Sequence, residues 1–261
     1  MATQGARVSI VRERRGHVEV LRINRPEAKN AVNDVVAHAL ESALDDIEET
    51  ADVRVVIVTG TGDTFSAGAD LKMVAAGDSR GFITPRGGFA GFVKRDFPKP
   101  IIAAVNGTAV AGGFEIALAC DLIVAADTAV FGLAEVRRGL FAGGGGLIRL
   151  PRRVPLALAM ELAIVGQPID ATRAFAVGLV NRVVPADEVL DTALHLADEI
   201  AANSPLAVRN TRRMVREAPD LTEAEAWERS AELSREVFDS PDSVEGARAF
   251  AEKRPPVWQT T

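Results

Sequence analysis

Short β-branched runs alternate with apolar stripes at three- and four-residue spacing through the first half of the chain, and that alternation admits few architectures. Strands joined by crossover helices satisfy it. Residues 18–23 alternate as a strand and stop at Asn24-Arg25-Pro26. Val32, Val35, Val36, Ala39, Leu40, Ala43, Leu44 and Ile47 then form one stripe, which predicts a helix ending near Glu49. Residues 53–59 read as a buried strand, and the runs 101–105 and 122–125 as two more. Between them, residues 77–97 are glycine-rich and aperiodic. They are expected to form a mobile loop or a loop–helix insertion, where substrate contacts tend to gather.

After Pro185 the texture changes. Residues 188–202, 205–217, 222–238 and 243–253 all read as helices with no strand between them. This divides the chain near residue 200 into an α/β core, 1–200, and a helical region, 201–261. The late helices carry Leu, Val, Trp227 and Phe238 on stripes too large for so small a region to bury alone, so a homo-oligomer is expected.

Composition narrows the function classes. The 261 residues include 30 Lys and Arg against 36 Asp and Glu, a net charge of -6, which is the wrong balance for a general phosphate-backbone binder. One cysteine, Cys120, excludes an intrachain disulfide, and three histidines, His17, His38 and His195, lie in no metal or catalytic motif. No metal site is therefore expected. Residues 1–7 lack the apolar centre of a secretion signal, and the apolar stretch 109–136 is broken by four acids, so no membrane span is expected and the cytoplasm is the default location.

Chemistry-bearing residues gather in three places. In residues 109–121 a Gly112-Gly113 pair follows a strand and opens an apolar helix; the glycines either expose amides to an oxyanion or simply permit a tight turn. Residues 65–71 form a second small-residue turn, so that each turn can lend one amide to a shared carbonyl oxygen. Asp70 reads on its own as the cap of a short helix beginning at Leu71. Glu115 sits among Phe, Ile, Ala and Leu, where an ionised carboxylate is expensive. Glu135 follows the run 129–134 and either returns to the same site or pairs with Arg137 or Arg138. Two carboxylates held together away from water would have separated pKa values and could serve as acid and base.

With those residues in view, the sequence resembles the enoyl-CoA hydratase (crotonase) family over nearly its whole length. The likeness rests on residues 24–31 (Asn-Arg-Pro-Glu-Ala-Lys-Asn-Ala), 65–72, 106–107 through 111–115, Cys120-Asp121, 131–135 and 249–254. The resemblance implies a crotonase-like spiral of ββα units and a C-terminal helical oligomerisation region that builds trimers, or hexamers as paired trimers. It implies hydration of a trans-2-enoyl-CoA, with the amides of Ala69 and Gly112 as oxyanion donors, Glu115 activating water and Glu135 delivering the α-proton. Ala28, Lys29, Ala67, Asp70 and Leu71 are the expected coenzyme A contacts, with Phe250 and Lys253 reaching in from a neighbouring subunit. Coenzyme A belongs to the substrate, so no separate cofactor is implied.

Some positions depart from the family pattern. Ala134 stands where proline commonly precedes the second glutamate, and residues 141–148 lack the usual proline and the Thr-Gln after the glycines. These changes border the expected acyl pocket, which keeps a carnitinyl-CoA dehydratase, an enoyl-CoA isomerase or an acyl-CoA hydrolase as alternatives. Arg209, Arg212, Arg213 and Arg216 share a helix face of the kind an RNA-binding relative would use, although a solvated or intersubunit face explains them with less. Residues 58–65 lack the third glycine of a dinucleotide loop, and Ser66 lacks the first glycine of a hydrolase elbow.

Overall fold

The strands Val55–Gly60 and Ile101–Val105 are buried along their whole length, and so they take central positions where both sheet faces are covered. The computed structural model describes residues 8–78 and 80–259, and the heptapeptide considered above for a secretion signal lies outside them. Six strands form the larger sheet in the order Ile10–Arg15, Val18–Ile23, Val55–Gly60, Ile101–Val105, Leu122–Ala126, Arg182–Val184. Only the first pair is antiparallel.

Three times the chain leaves that sheet, adds a short strand to a second sheet and then turns into a helix. Val55–Gly60 is followed by Thr64–Ser66 and Leu71–Ala75, and Ile101–Val105 by Thr108–Val110 and Gly112–Ala119. Leu122–Ala126 leads to Val130–Gly132 and the 3-10 turn Glu135–Arg138. The smaller sheet stacks these returns side by side, in the order Ile169–Asp170, Val130–Gly132, Thr108–Val110, Thr64–Ser66. This is the expected spiral of ββα units. Its consequence for function is that every turn delivers a strand end and a helix start to the same side of the small sheet.

The helix Asp34–Glu49 begins where Asn33 accepts the Val36 amide, and it buries Val36, Ala37, Leu40, Ala43, Leu44 and Ile47. Val35, counted in the predicted stripe, is exposed instead. Residues 77–97 do not form a loop–helix insertion. Ile83–Thr84 pairs with Gly88–Phe89 as a small hairpin, and Phe82, Phe92, Val93 and Phe97 are buried around it. The acidic face of Asp34–Glu49 holds this segment: Glu41 accepts from the Thr84 hydroxyl at 2.6 Å and the Gly87 amide at 2.9 Å, while Asp45 and Glu48 take Arg86 and Arg95.

The four late helices are Val189–Ala201, Pro205–Glu217, Glu223–Phe238 and Pro241–Glu252. The first lies on the larger sheet with Val189, Ala193, Leu194, Ala197 and Ala201 inward. The division expected near residue 200 falls in the turn after it. Arg212 crosses that turn's boundary, donating to Asp121 Oδ2 at 2.8 Å and to the Phe97 carbonyl at 2.7 Å. Arg216 reaches Asp121 at 3.5 Å and Arg213 pairs with Glu217 at 2.7 Å, so these members of the arginine stripe already have partners within the chain. Among the described residues no helix is long and apolar enough to cross a membrane.

Candidate active site

The turn before Leu71–Ala75 and the start of Gly112–Ala119 meet at two glycines. A Cβ on Gly68 would lie 2.6 Å from the Gly112 nitrogen, and one on Gly112 would lie 2.5 Å from the Phe89 ring, so neither position has room for a side chain. Val32 bridges Ala69 in parallel register, and Val32 makes both hydrogen bonds of that bridge, to the Gly68 carbonyl and from the Asp70 amide. In a parallel pair the partner's own N–H then points the other way, out of the ladder. The Gly112 N–H is free for a different reason, as the first amide of its helix. Among the described residues neither amide enters a turn, loop or cap hydrogen bond, and both residues line one cavity of about 450 Å³.

Just before Gly112, Ala111 has φ 51° and ψ -130°, a conformation in which an alanine costs on the order of 1–3 kcal/mol. Two anchors impose it. The Ala111 amide donates to the Gly132 carbonyl at 2.8 Å, while its carbonyl accepts from the Glu115 amide at 3.1 Å.

Glu115 lies in the first turn of the same helix, 3% exposed, and faces that cavity. Its Oε1 accepts the Gly146 amide at 2.9 Å. A Cβ on Gly144 would collide with Oε2, and one on Gly146 would come within 3.1 Å of Oε1, so Gly144 and Gly146 close around the carboxylate. Burial holds the Glu115 pKa above the ordinary carboxylate range, against the opposing pull of the Gly146 and Gly144 amides and the Arg149 charge. Glu135, 8% exposed, opens the 3-10 turn Glu135–Arg138 and lines the same cavity. Its Oε2 is buried with no hydrogen-bond partner among the described residues. Burial first, and the neighbouring Glu115 charge as a smaller cause, push its pKa up to about 7, against the lowering effect of its own amide. The structure therefore brings together four expected residues from three separate segments: Ala69, Gly112 with Glu115, and Glu135.

The remaining expected residues divide. Ala67 and Leu71 form part of the cavity rim. The Lys29 carbonyl accepts the Ala67 amide at 3.0 Å, which sets the turn of Ala28 and Lys29 alongside that rim. Asp70 is occupied otherwise: its carboxylate caps Leu71–Ala75 at the Lys72 amide and holds Arg25 at 3.1 Å. Phe250 and Lys253 are exposed and do not line the cavity of a single chain. Residues 77–97, where substrate contacts were expected, supply Phe82, Phe89 and Lys94 to the lining, and the stretch 141–148, expected beside the acyl pocket, supplies Phe141, Gly143 and Gly144; Arg137 and Arg138, considered only as partners of Glu135, line the cavity too. Four consecutive glycines were the available signal of a close approach by something large. Among the described residues no cluster of His, Cys, Asp and Glu is placed to hold a metal ion.

A family profile described as Enoyl-CoA hydratase/isomerase matches residues 13–261. The chain belongs to that family. The enoyl-CoA hydratase EchA19 of Mycobacterium tuberculosis is 41% identical, with 99% of each chain covered. The carnitinyl-CoA dehydratase of Proteus mirabilis is 40% identical over 94% of this chain and 96% of its own. A crystal structure of an enoyl-CoA hydratase from Mycobacterium tuberculosis H37Rv superposes with a TM-score of 0.93 at 46% identity, covering 97% of this chain and all of that one. Within the enoyl-CoA hydratase/isomerase family, the paired glutamates and two uncommitted amides of this chain make a site suited to a thioester enolate.

Proposed function

We propose that the protein is an enoyl-CoA hydratase that adds water across the double bond of a trans-2-enoyl-CoA to give a 3-hydroxyacyl-CoA. One observation carries this reading: two buried carboxylates and two uncommitted amides face one cavity. The Ala69 and Gly112 amides grip the thioester oxygen as negative charge develops on it, and one such donor is worth about 3 kcal/mol in comparable sites. Glu115, fixed by the Gly146 amide, orients a water and takes its proton as oxygen attacks the β-carbon. Glu135, with a pKa of about 7, holds a proton in a large fraction of molecules at neutral pH and passes it to the α-carbon.

Coenzyme A leaves the cavity by the Ala67 and Leu71 rim, past Ala28 and Lys29, and is part of the substrate rather than a separate cofactor. Asp70 acts there through the backbone it caps. Phe250 and Lys253 complete the nucleotide end from a neighbouring subunit of a homotrimer or a homohexamer in the cytoplasm. Exposed Leu156, Met160, Ile164, Trp227 and Phe238 supply the apolar surface that such assembly would cover.

Dehydration of carnitinyl-CoA is the second reading, supported by the relative at 40% identity. Lys94, Arg137 and Arg138 line the cavity together with Glu115 and Glu135, and this excess of cations over acids weighs against a quaternary ammonium acyl group. The test is to present purified protein with straight-chain trans-2-enoyl-CoA thioesters and with carnitinyl-CoA. Loss of the conjugated absorbance of the former supports hydration. Turnover of carnitinyl-CoA alone overturns it.

A further inference from the structure

Beyond Val93, which also lines the first cavity, lies a second pocket of about 10 Å³, and four arginines reach its wall: Arg95, Arg149, Arg212 and Arg216. The Arg95 side chain is only 1% exposed, and its Nε reaches no acceptor among the described residues. The charges around this pocket do not balance. Asp121 alone serves Arg212 and Arg216, and Asp45 and Glu48 are shared by Arg95 and Arg86.

Arg149 and the adjoining Arg153 bind only main-chain carbonyls. Arg149 donates to Val93 at 2.5 Å and Gly144 at 3.4 Å, and Arg153 donates to Cys120. Six guanidiniums thus share three ion-paired carboxylates, with the Glu115 charge acting on Arg149 without a direct bond, so cations still exceed anions here. Burial lowers the pKa of both Arg149 and Arg153 first; the Arg216 and Arg153 charges lower Arg149 further, whereas at Arg153 the repulsion from Arg216 is smaller than the opposing pull of Cys120 and Asp121.

A pocket of this size holds one particle about as large as a water molecule, which excludes phosphate and sulfate. Water is a poor occupant on charge grounds. It is neutral, accepts about two hydrogen bonds, and leaves the cations uncompensated in a medium of low polarity. A halide accepts from several donors at once and brings the missing negative charge.

We infer that this pocket is a binding site for one halide-sized monovalent anion, with chloride as the physiological occupant, held by the guanidiniums of Arg95, Arg149, Arg212 and Arg216. The site is independent of the reaction proposed above. It touches that reaction at one point, since Arg149 also holds the carbonyl of Gly144, whose Cα packs on the Glu115 carboxylate.

The experiment soaks crystals of the full chain in sodium bromide and collects data at the bromine absorption edge. In parallel, the thermal midpoint is followed in sodium chloride and in sodium gluconate at matched ionic strength. A bromine peak among the four guanidiniums is expected, with a saturable rise in midpoint in chloride that gluconate does not reproduce. Arg216→Gln, whose side chain is the most exposed of the ion-paired arginines at the pocket, should lose the chloride-specific rise. An uncharged water in the pocket after the soak, or equal midpoints in the two salts, overturns the proposal. Should the variant fold poorly, the bromide soak on the unaltered protein still decides.

Discussion

Glu135 carries a buried carboxyl oxygen with no hydrogen-bond partner among the described residues, and its proton is the one the proposed reaction needs. Because its folded pKa stands near 7 rather than 4.5, raising the pH through about 7 removes the acid form. The expected kcat/KM for hydration therefore falls about tenfold per pH above that point, and Glu135→Gln should flatten the limb at a much lower level. Stability follows the same displacement. The native state binds this proton more tightly than the unfolded chain, so this carboxyl's contribution to stability declines as pH rises from 4.5 to about 7 and levels off above, by roughly 3 kcal/mol in all. Glu135→Gln escapes that loss. It should melt above the parent at pH 8, with the gain disappearing below pH 4.5, as a pair of thermal scans would reveal. Gly144→Ala drives a methyl into Glu115 Oε2. It should cut kcat by tens-fold with a stability loss of about 1–3 kcal/mol, measured by steady-state kinetics and urea titration.

Elements reach their places through a few polar anchors, among them the fully buried Asn30. Its Nδ2 donates to the Thr61 carbonyl at 2.9 Å and the Thr64 carbonyl at 2.6 Å, and its Oδ1 accepts the Arg25 amide at 2.9 Å. The chain between the first hairpin and Asp34–Glu49 is thereby fixed against the turn that carries Ala69. Asn30→Ala leaves the buried Thr64 carbonyl and the part-buried Thr61 carbonyl and Arg25 amide short of partners, and should cost about 3 kcal/mol in chemical denaturation, with activity lost in proportion to folding. Nothing in sequence spacing announced this residue beyond its place in the 24–31 stretch. The long strands and Asp34–Glu49 were legible because burial on a sheet or along a stripe repeats at a fixed interval. Residues 77–97 were not, since the hairpin there is held by Glu41, Asp45 and Glu48 on a distant helix rather than by its own periodicity. Glu115 stood out as a charge in an apolar helix. The glycine cradle around it could not, because no local pattern says which remote carboxylate a glycine run will meet.

Over the whole molecule, the spiral is what brings three separate site segments to one cavity wall, and the helix Leu156–Val165 together with the late helices leaves apolar side chains exposed. Leu156, Met160, Ile164, Trp227, Phe238 and Phe250 are all exposed in the single chain. Sedimentation velocity should find three or six chains per particle, and Trp227→Glu combined with Phe238→Glu should shift the mass towards the monomer. A monomeric parent would remove the neighbouring-subunit role given to Phe250 and Lys253. The account's central claim, that two acids distant in the chain act as a unit on one thioester, is tested most directly by turnover of trans-2-enoyl-CoA in Glu115→Gln, Glu135→Gln and the double variant. Each single change should lower kcat by roughly 10³-fold or more with thioester binding kept within a few-fold, and the double variant should be little worse than either single one. Near-parental turnover in either single variant, or losses that simply multiply in the double, would contradict it.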